Sequence, residues 1–147
     1  MKKIIYALFA LATLSLGFVS CGDDDESVSY PTTAEAGSAG VYNGTWTTVL
    51  DEVETTYTGS ITLAAAQAGC TNVTFSCPGA SLNKTAIANV WHSNNGYQFV
   101  NQVGTNGLGT AFSGRISDGG QLTVAFTIEQ RVGLKQKLVK YTFVGQR

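Results

Sequence analysis

Apolar and polar residues alternate along much of this chain with a period of two. Between Thr56 and Leu63 the alternation sets Tyr57, Gly59, Ile61 and Leu63 on one face and Thr56, Thr58, Ser60 and Thr62 on the other, the mark of a strand buried on one side. Leu122 to Glu129 repeats it, with Leu122, Val124, Phe126 and Ile128 opposed to Thr123, Ala125, Thr127 and Glu129. One apolar and one mostly polar face suits an antiparallel sheet that meets solvent on its outer side. Weaker versions of the pattern predict strands at Tyr42 to Leu50, Val73 to Cys77, Ile87 to Trp91, Tyr97 to Val103, Thr110 to Ser117 and Leu138 to Val144. Ser93-Asn94-Asn95-Gly96, Thr105-Asn106-Gly107 and Ser117-Asp118-Gly119-Gly120 offer residues that accept positive φ, so hairpins are expected at all three. Helix has no comparable support: the alanine-rich Ala64 to Ala68 is too short and is closed by Gly69.

About eight short antiparallel strands must close or stack to hide their edges, as a barrel or a sandwich. The expected fold is all-β, a single up-and-down antiparallel barrel over residues 40–147. Its inward list includes Trp46, Tyr57, Phe75, Tyr97, Phe99, Phe112, Phe126, Tyr141 and Phe143, rings large enough to fill a small interior or to line a modest pocket near one end. For the pocket, the ligand-facing candidates are Trp46, Tyr57, Tyr97, Phe99, Phe112 and Tyr141, with Asn89, Asn101 and Gln102 as polar residues at the mouth; the alternative is that these three are ordinary strand-end residues.

Ahead of the barrel the chain changes character. Met1-Lys2-Lys3 is followed by a nearly continuous apolar run from Ile4 to Phe18. As a helix that run covers roughly 22 Å, short of the roughly 30 Å hydrocarbon core of a bilayer, so it reads as a signal peptide over residues 1–20. Phe18-Val19-Ser20-Cys21 resembles the lipobox of bacterial type II signal peptides, which implies that Cys21 is the lipidated residue. Gly22-Asp23-Asp24-Asp25-Glu26 resembles the export signal that sends Bacteroidetes lipoproteins to the outer leaflet; as plain chemistry, the acidic run also keeps a tether solvated and extended. The segment SVSYPTTAEAGSA from Ser27 to Ala39 is small and polar, so residues 21–39 are expected to be a flexible tether.

The barrel segment carries a further resemblance. Tyr42-Asn43-Gly44-Thr45-Trp46, Asn72-Val73-Thr74-Phe75, Ile87-Ala88-Asn89-Val90, Gly114-Arg115-Ile116-Ser117-Asp118-Gly119-Gly120-Gln121-Leu122-Thr123 and Tyr141-Thr142-Phe143-Val144-Gly145 together resemble the calycin-like β-barrel lipoproteins of Bacteroides over essentially the whole domain. Gly44-x-Trp46 also resembles the G-x-W of lipocalins, which implies that Trp46 closes one barrel end beneath an arginine from the last strand region, Arg131 or Arg147. The resemblance implies a fold and not a reaction.

Charge and chemistry narrow the function. Loss of Lys2 and Lys3 with the signal takes the formal net charge from −1 to −3, with no basic footprint for nucleic acid. The late cations Arg131, Lys135, Lys137 and Lys140 read as a solvated hairpin and strand edge. His92 is the only histidine and has no Cys or carboxylate at metal-ligand spacing, and G-x-S-x-G and glycine-rich phosphate motifs are missing from the sequence. Asp51, Glu52 and Glu54 are better explained as an exposed turn than as a hydrolytic carboxylate pair. No catalytic residue, metal or cofactor is expected. Cys70 and Cys77 are separated by about 23 Å if the chain between them is extended, far beyond the roughly 7 Å that a disulfide spans; Cys77 is expected inward and unbridged. The N-x-S/T triplets at Asn43, Asn72 and Asn83 are taken as coincidental. The expectation is a monomeric, lipid-anchored outer-membrane protein, exposed at the cell surface and not an enzyme. Its barrel either binds a small apolar or amphipathic ligand, a glycan or a host protein, or is filled and docks as an accessory onto another envelope protein.

Overall fold

The computed structural model describes residues 32–106 and 108–147, with the side chains of 102–106 left aside. Eight strands follow in order: β1 (Gly40–Leu50), β2 (Val53–Ala65), β3 (Cys70–Cys77), β4 (Leu82–Ser93), β5 (Gly96–Asn106), β6 (Ser113–Ser117), β7 (Gln121–Val132) and β8 (Lys135–Gln146). Each pairs antiparallel with the next, and β1 pairs antiparallel with β8 from Asn43↔Gln146 to Val49↔Lys140. The sheet is therefore a closed up-and-down barrel, the all-β architecture that the alternation predicts. Closure leaves no long edge in the wall, where every interior residue can meet another.

The period-two reading is visible residue by residue. Ile61 and Leu63 in β2, and Leu122, Val124 and Phe126 in β7, are buried, while Thr58, Thr123, Ala125 and Thr127 are exposed. In β1, Tyr42, Trp46 and Thr48 face in. Trp46 is at the centre, with ring centroids of Phe75, Phe126, Tyr141 and Phe143 between 4.9 and 6.3 Å from its own. Its indole Nε1 donates to the Ser76 carbonyl at 3.0 Å. Space for these rings comes from glycines: a Cβ on Gly59 would lie 2.7 Å from Trp46 Cδ1 and one on Gly145 would lie 2.5 Å from Phe143 Cζ, while Gly44 lets backbones close, since its Cβ would lie 2.1 Å from the Val144 carbonyl oxygen.

Three expectations are corrected. Residues Ala34–Ser38, inside the expected flexible tether, form a short helix, α1, with Ala34 and Ser38 buried. The i, i+4 spacing puts those two small residues on one face against the barrel, and Arg147 and Tyr42 bond its carbonyls, which composition alone does not reveal. Thr105-Asn106-Gly107 does not close a tight hairpin. β5 continues to Asn106, which pairs with Ala86 across a register irregularity in β4, and β6 begins at Ser113 rather than near Thr110. The connection is held instead by Asn101, whose N–H donates to the Phe112 carbonyl (3.1 Å) and whose side-chain oxygen accepts from the Phe112 N–H (3.0 Å). The strands are also longer than expected at the Leu50 and Val132 end. β2 pairs with β3 only from Ser60, and β7 pairs with β6 only up to Ala125, so the β1–β2 and β7–β8 hairpins rise above the rest of the wall.

Asp51 and Glu52 form the two-residue turn of the first hairpin with φ of 50° and 65°, the left-handed pair that matches strand twist; both are exposed, as expected. Cys70 and Cys77 are buried and not bridged. Their strand partners are Asn89 and Leu82, at opposite ends of the β3–β4 pairing. Residues 1–20 and Cys21, with the acidic run after it, lie outside the described residues.

Candidate functional site

The two ends of the barrel differ. At the end where β1 begins, α1 is held by side chains of the wall. Tyr42 donates its hydroxyl to the Ser38 carbonyl at 2.8 Å. Arg147 Nη1 donates to the carbonyls of Gly37 (2.9 Å) and Ala39 (3.0 Å), and its guanidinium carbon lies 5.7 Å from the Tyr42 ring centroid. His92 Nε2 is 2.9 Å from the Thr32 carbonyl. Burial raises the Tyr42 phenol above its ordinary value of 10.0; nearby Arg147 pulls it partly back and Tyr97 adds to the rise. α1 and Arg147 cover this end, leaving beside them an open cleft of about 430 Å³ between Thr32, His92, Tyr97 and Ile116. An arginine near the C-terminus does cross a ring of the first strand, but the ring is Tyr42. Trp46 is two inward positions deeper, in the middle of the core, so the expectation that it closes a barrel end is corrected.

At the opposite end the long hairpins and the 3₁₀ turn Pro78–Ala80 surround an open cavity of about 490 Å³, within the ordinary range for small-molecule sites. Tyr57 and Tyr141 come together here with Thr48, Thr55, Gln130 and Val139. Tyr57 lies against Gly79, where a Cβ would be 2.4 Å from Tyr57 Cδ1, and it is half-buried. Tyr141 forms the floor, stacked on Phe126 at 5.2 Å and 17°. Burial raises the Tyr141 phenol above 10.0, helped by Cys77 and Tyr57, and burial also raises the Cys77 thiol, partly offset by a backbone hydrogen bond at Ala80. Asp51, at the rim, forms an ion pair with Lys137 across the β1–β8 seam. Among the described residues no three His, Cys, Asp or Glu side chains gather as a metal site.

Of the six ligand-facing candidates, Tyr57 and Tyr141 line this mouth. Trp46, Phe99 and Phe112 are packed in the core, where Phe112 lies 5.0 Å from Phe75 and 6.5 Å from Phe99. Tyr97 lies at the covered end with its hydroxyl against Gly37. Rings of Trp46, Phe75, Phe112, Phe126 and Phe143 pack the middle of the barrel, and Tyr57 and Tyr141 are the candidates that reach the mouth. Two of the polar candidates do not reach it: Asn89 bonds Cys70 Sγ and Asn101 holds the Phe112 loop; the Gln102 side chain lies outside the described residues. The sequence reading passed over Thr48, Thr55 and Gln130. Thr48 and Gln130 continue the inward rows of Tyr42, Trp46 and of Phe126, Ile128, so parity alone could have found them. Trp91, the last residue of the strand expected from Ile87, is half-buried on the outer wall beside Gln98 and Arg115.

Compared with protein-family profiles, curated proteins and solved structures, the chain matches none.

Proposed function

We propose that the chain is an exported lipoprotein, anchored in the outer membrane through Cys21, that binds a small amphipathic molecule at the barrel mouth without transforming it. The observation that carries the binding role is the mouth away from α1, a 490 Å³ cavity in which Tyr57 and Tyr141 meet Thr48, Thr55, Ser81 and Gln130, so that ring faces and hydroxyl and amide groups converge on one space. Such mixed lining is typical of sites that bury a ligand body and orient it through a few polar contacts. The anchor rests on the apolar run, Cys21 and the acidic residues after it.

Cys21→Ala tests the anchor. The variant is expected to stay at precursor size, because lipid attachment precedes signal cleavage; processed, membrane-bound protein from it refutes the lipoprotein reading. Titration of the full chain with two fluorescent amphipathic probes, an umbelliferyl glycoside and an anilinonaphthalene dye, tests the binding role: uptake of at least one is expected, weakened about tenfold by Tyr57→Ala, and uptake of neither refutes it. A second reading, a barrel docked onto another envelope protein, is favoured by one feature: Leu134 and Leu138 on the β7–β8 hairpin are 93% and 68% exposed. Co-purification of a membrane partner that is lost in Leu134→Ser, with no probe uptake, selects that reading.

A further inference from the structure

The lining of the mouth says more about its occupant than its volume does. Resting on the reading of the mouth as a ligand site, we infer that the ligand is a neutral polyhydroxylated ring, a saccharide unit, rather than an acyl chain. The first argument is depth. A fatty chain needs a sleeve into the barrel, and that sleeve is filled: Phe126 stacks under Tyr141, and Trp46 is in ring contact with both. The occupant must stay at the entrance.

The second argument is polarity. Seven of the twelve lining residues carry a side-chain oxygen or amide; Thr48 is bonded to the Thr55 carbonyl and Asp51 is paired with Lys137, and a hydrocarbon laid over the others would cut them off from water without offering a partner. A ring with hydroxyls around its rim meets Thr55, Gln130 and Asp51 while its C–H face covers Tyr57. The third argument is charge. An acidic ligand would need an uncompensated cation in the lining, and the pair at the rim, Asp51 with Lys137, is already balanced. Hydroxyl donors and acceptors suit this charge-balanced rim; a carboxylate or phosphate does not.

The test uses the full chain and two probe sets, methyl β-glucopyranoside and methyl β-galactopyranoside against octanoate and 1-octanol, read by titration calorimetry and saturation-transfer NMR. At least one glycoside is expected to bind at roughly millimolar Kd, the affinity of few-contact ligands, with Tyr57→Ala and Gln130→Ala each weakening it about tenfold. A deoxy analogue of the bound glycoside is expected to lose a similar factor, since a site that hydrogen-bonds a hydroxyl rejects the analogue lacking it. Binding of octanol or octanoate that depends on Tyr57, without glycoside binding, keeps the mouth as a site and overturns its assignment to sugars. Glycoside binding that survives Tyr57→Ala and disappears in Trp91→Ala moves the sugar to the outer wall and overturns the inference. No binding of either set overturns the mouth as a ligand site as well.

Discussion

Trp46→Ala is the sharpest test of how this barrel is held together. The side chain is fully buried, and an aromatic of this size removes roughly 150–250 Å² from water, worth about 4–6 kcal/mol at 25 cal/mol per Å². That area term takes an extended unfolded chain as reference and is an upper bound. Measured truncations of buried Phe and Trp to Ala cost about 3–5 kcal/mol including the cavity. Here the upper end is expected, about 5 kcal/mol, because four rings lose a shared neighbour and the Ser76 carbonyl loses its donor. A loss of that size approaches the whole stability of many domains, so Trp46→Phe is the companion variant. It retains part of the ring, drops the indole hydrogen bond, and is expected to cost about 2 kcal/mol. Urea unfolding followed by circular dichroism gives both values. In a Trp91→Phe background, iodide quenching of Trp46 should be weak in the folded chain and strong in denaturant. A cost under about 1 kcal/mol for Trp46→Ala, with free quenching in the native state, would refute the central placement of the ring.

Phe126→Ala is expected to cost about 3–5 kcal/mol and Thr127→Ala under about 1, because one faces the core and the other solvent; equal denaturation midpoints would put the β7 register wrong. Gly44→Ala should cost about 3 kcal/mol, because the added Cβ meets backbone of β8 rather than a movable side chain, and an unchanged urea midpoint would argue against the tight β1–β8 seam. Stability should hold below about pH 9 and fall as pH rises further. The Tyr42, Tyr141 and Cys77 groups all have folded values raised by burial, so the unfolded chain deprotonates first and gains at alkaline pH. Alkaline titration of the melting temperature checks this, and a flat profile to pH 11 contradicts it.

Much of the barrel is written in parity. Tyr57 to Leu63 and Leu122 to Ile128 declare which side faces in, and the turns at Asn94-Asn95 and Asp118-Gly119 declare where the chain reverses. The site is harder to read for a physical reason. Alternation says that Trp46, Phe99 and Tyr141 all face inward, but not how far along the barrel axis each one lies, and depth separates a packed ring from one that meets a ligand. Depth is set by stagger between strands, which depends on partners distant in sequence: Trp46 opposite Phe143, and Phe99 opposite Gly114. Residues 34–38 were illegible for the opposite reason. Their helix is too short to form from its own hydrogen bonds, and it is held by Tyr42 of the first strand and by Arg147, which follows the last.

The clasp between α1 and Arg147 also has a mechanical consequence. A pull at Thr32 acts on residues 32–39 before it acts on the barrel, and among the described residues that segment is fastened by four side-chain bonds, two from Arg147, one from Tyr42 and one from His92, and by the burial of Ala34 and Ser38. β1 is stitched along most of its length to β2 and β8, and a force along the strand loads those bonds together, in shear. The clasp is in series with that seam and is the weaker link. Under tension it is expected to open first, letting residues 32–39 lengthen to at most roughly 27 Å of extended chain at about 3.3–3.6 Å each, a gain smaller by the length that the segment already spans, while the sheet stays closed. On this arrangement the segment ahead of β1 yields before the sheet bears the load.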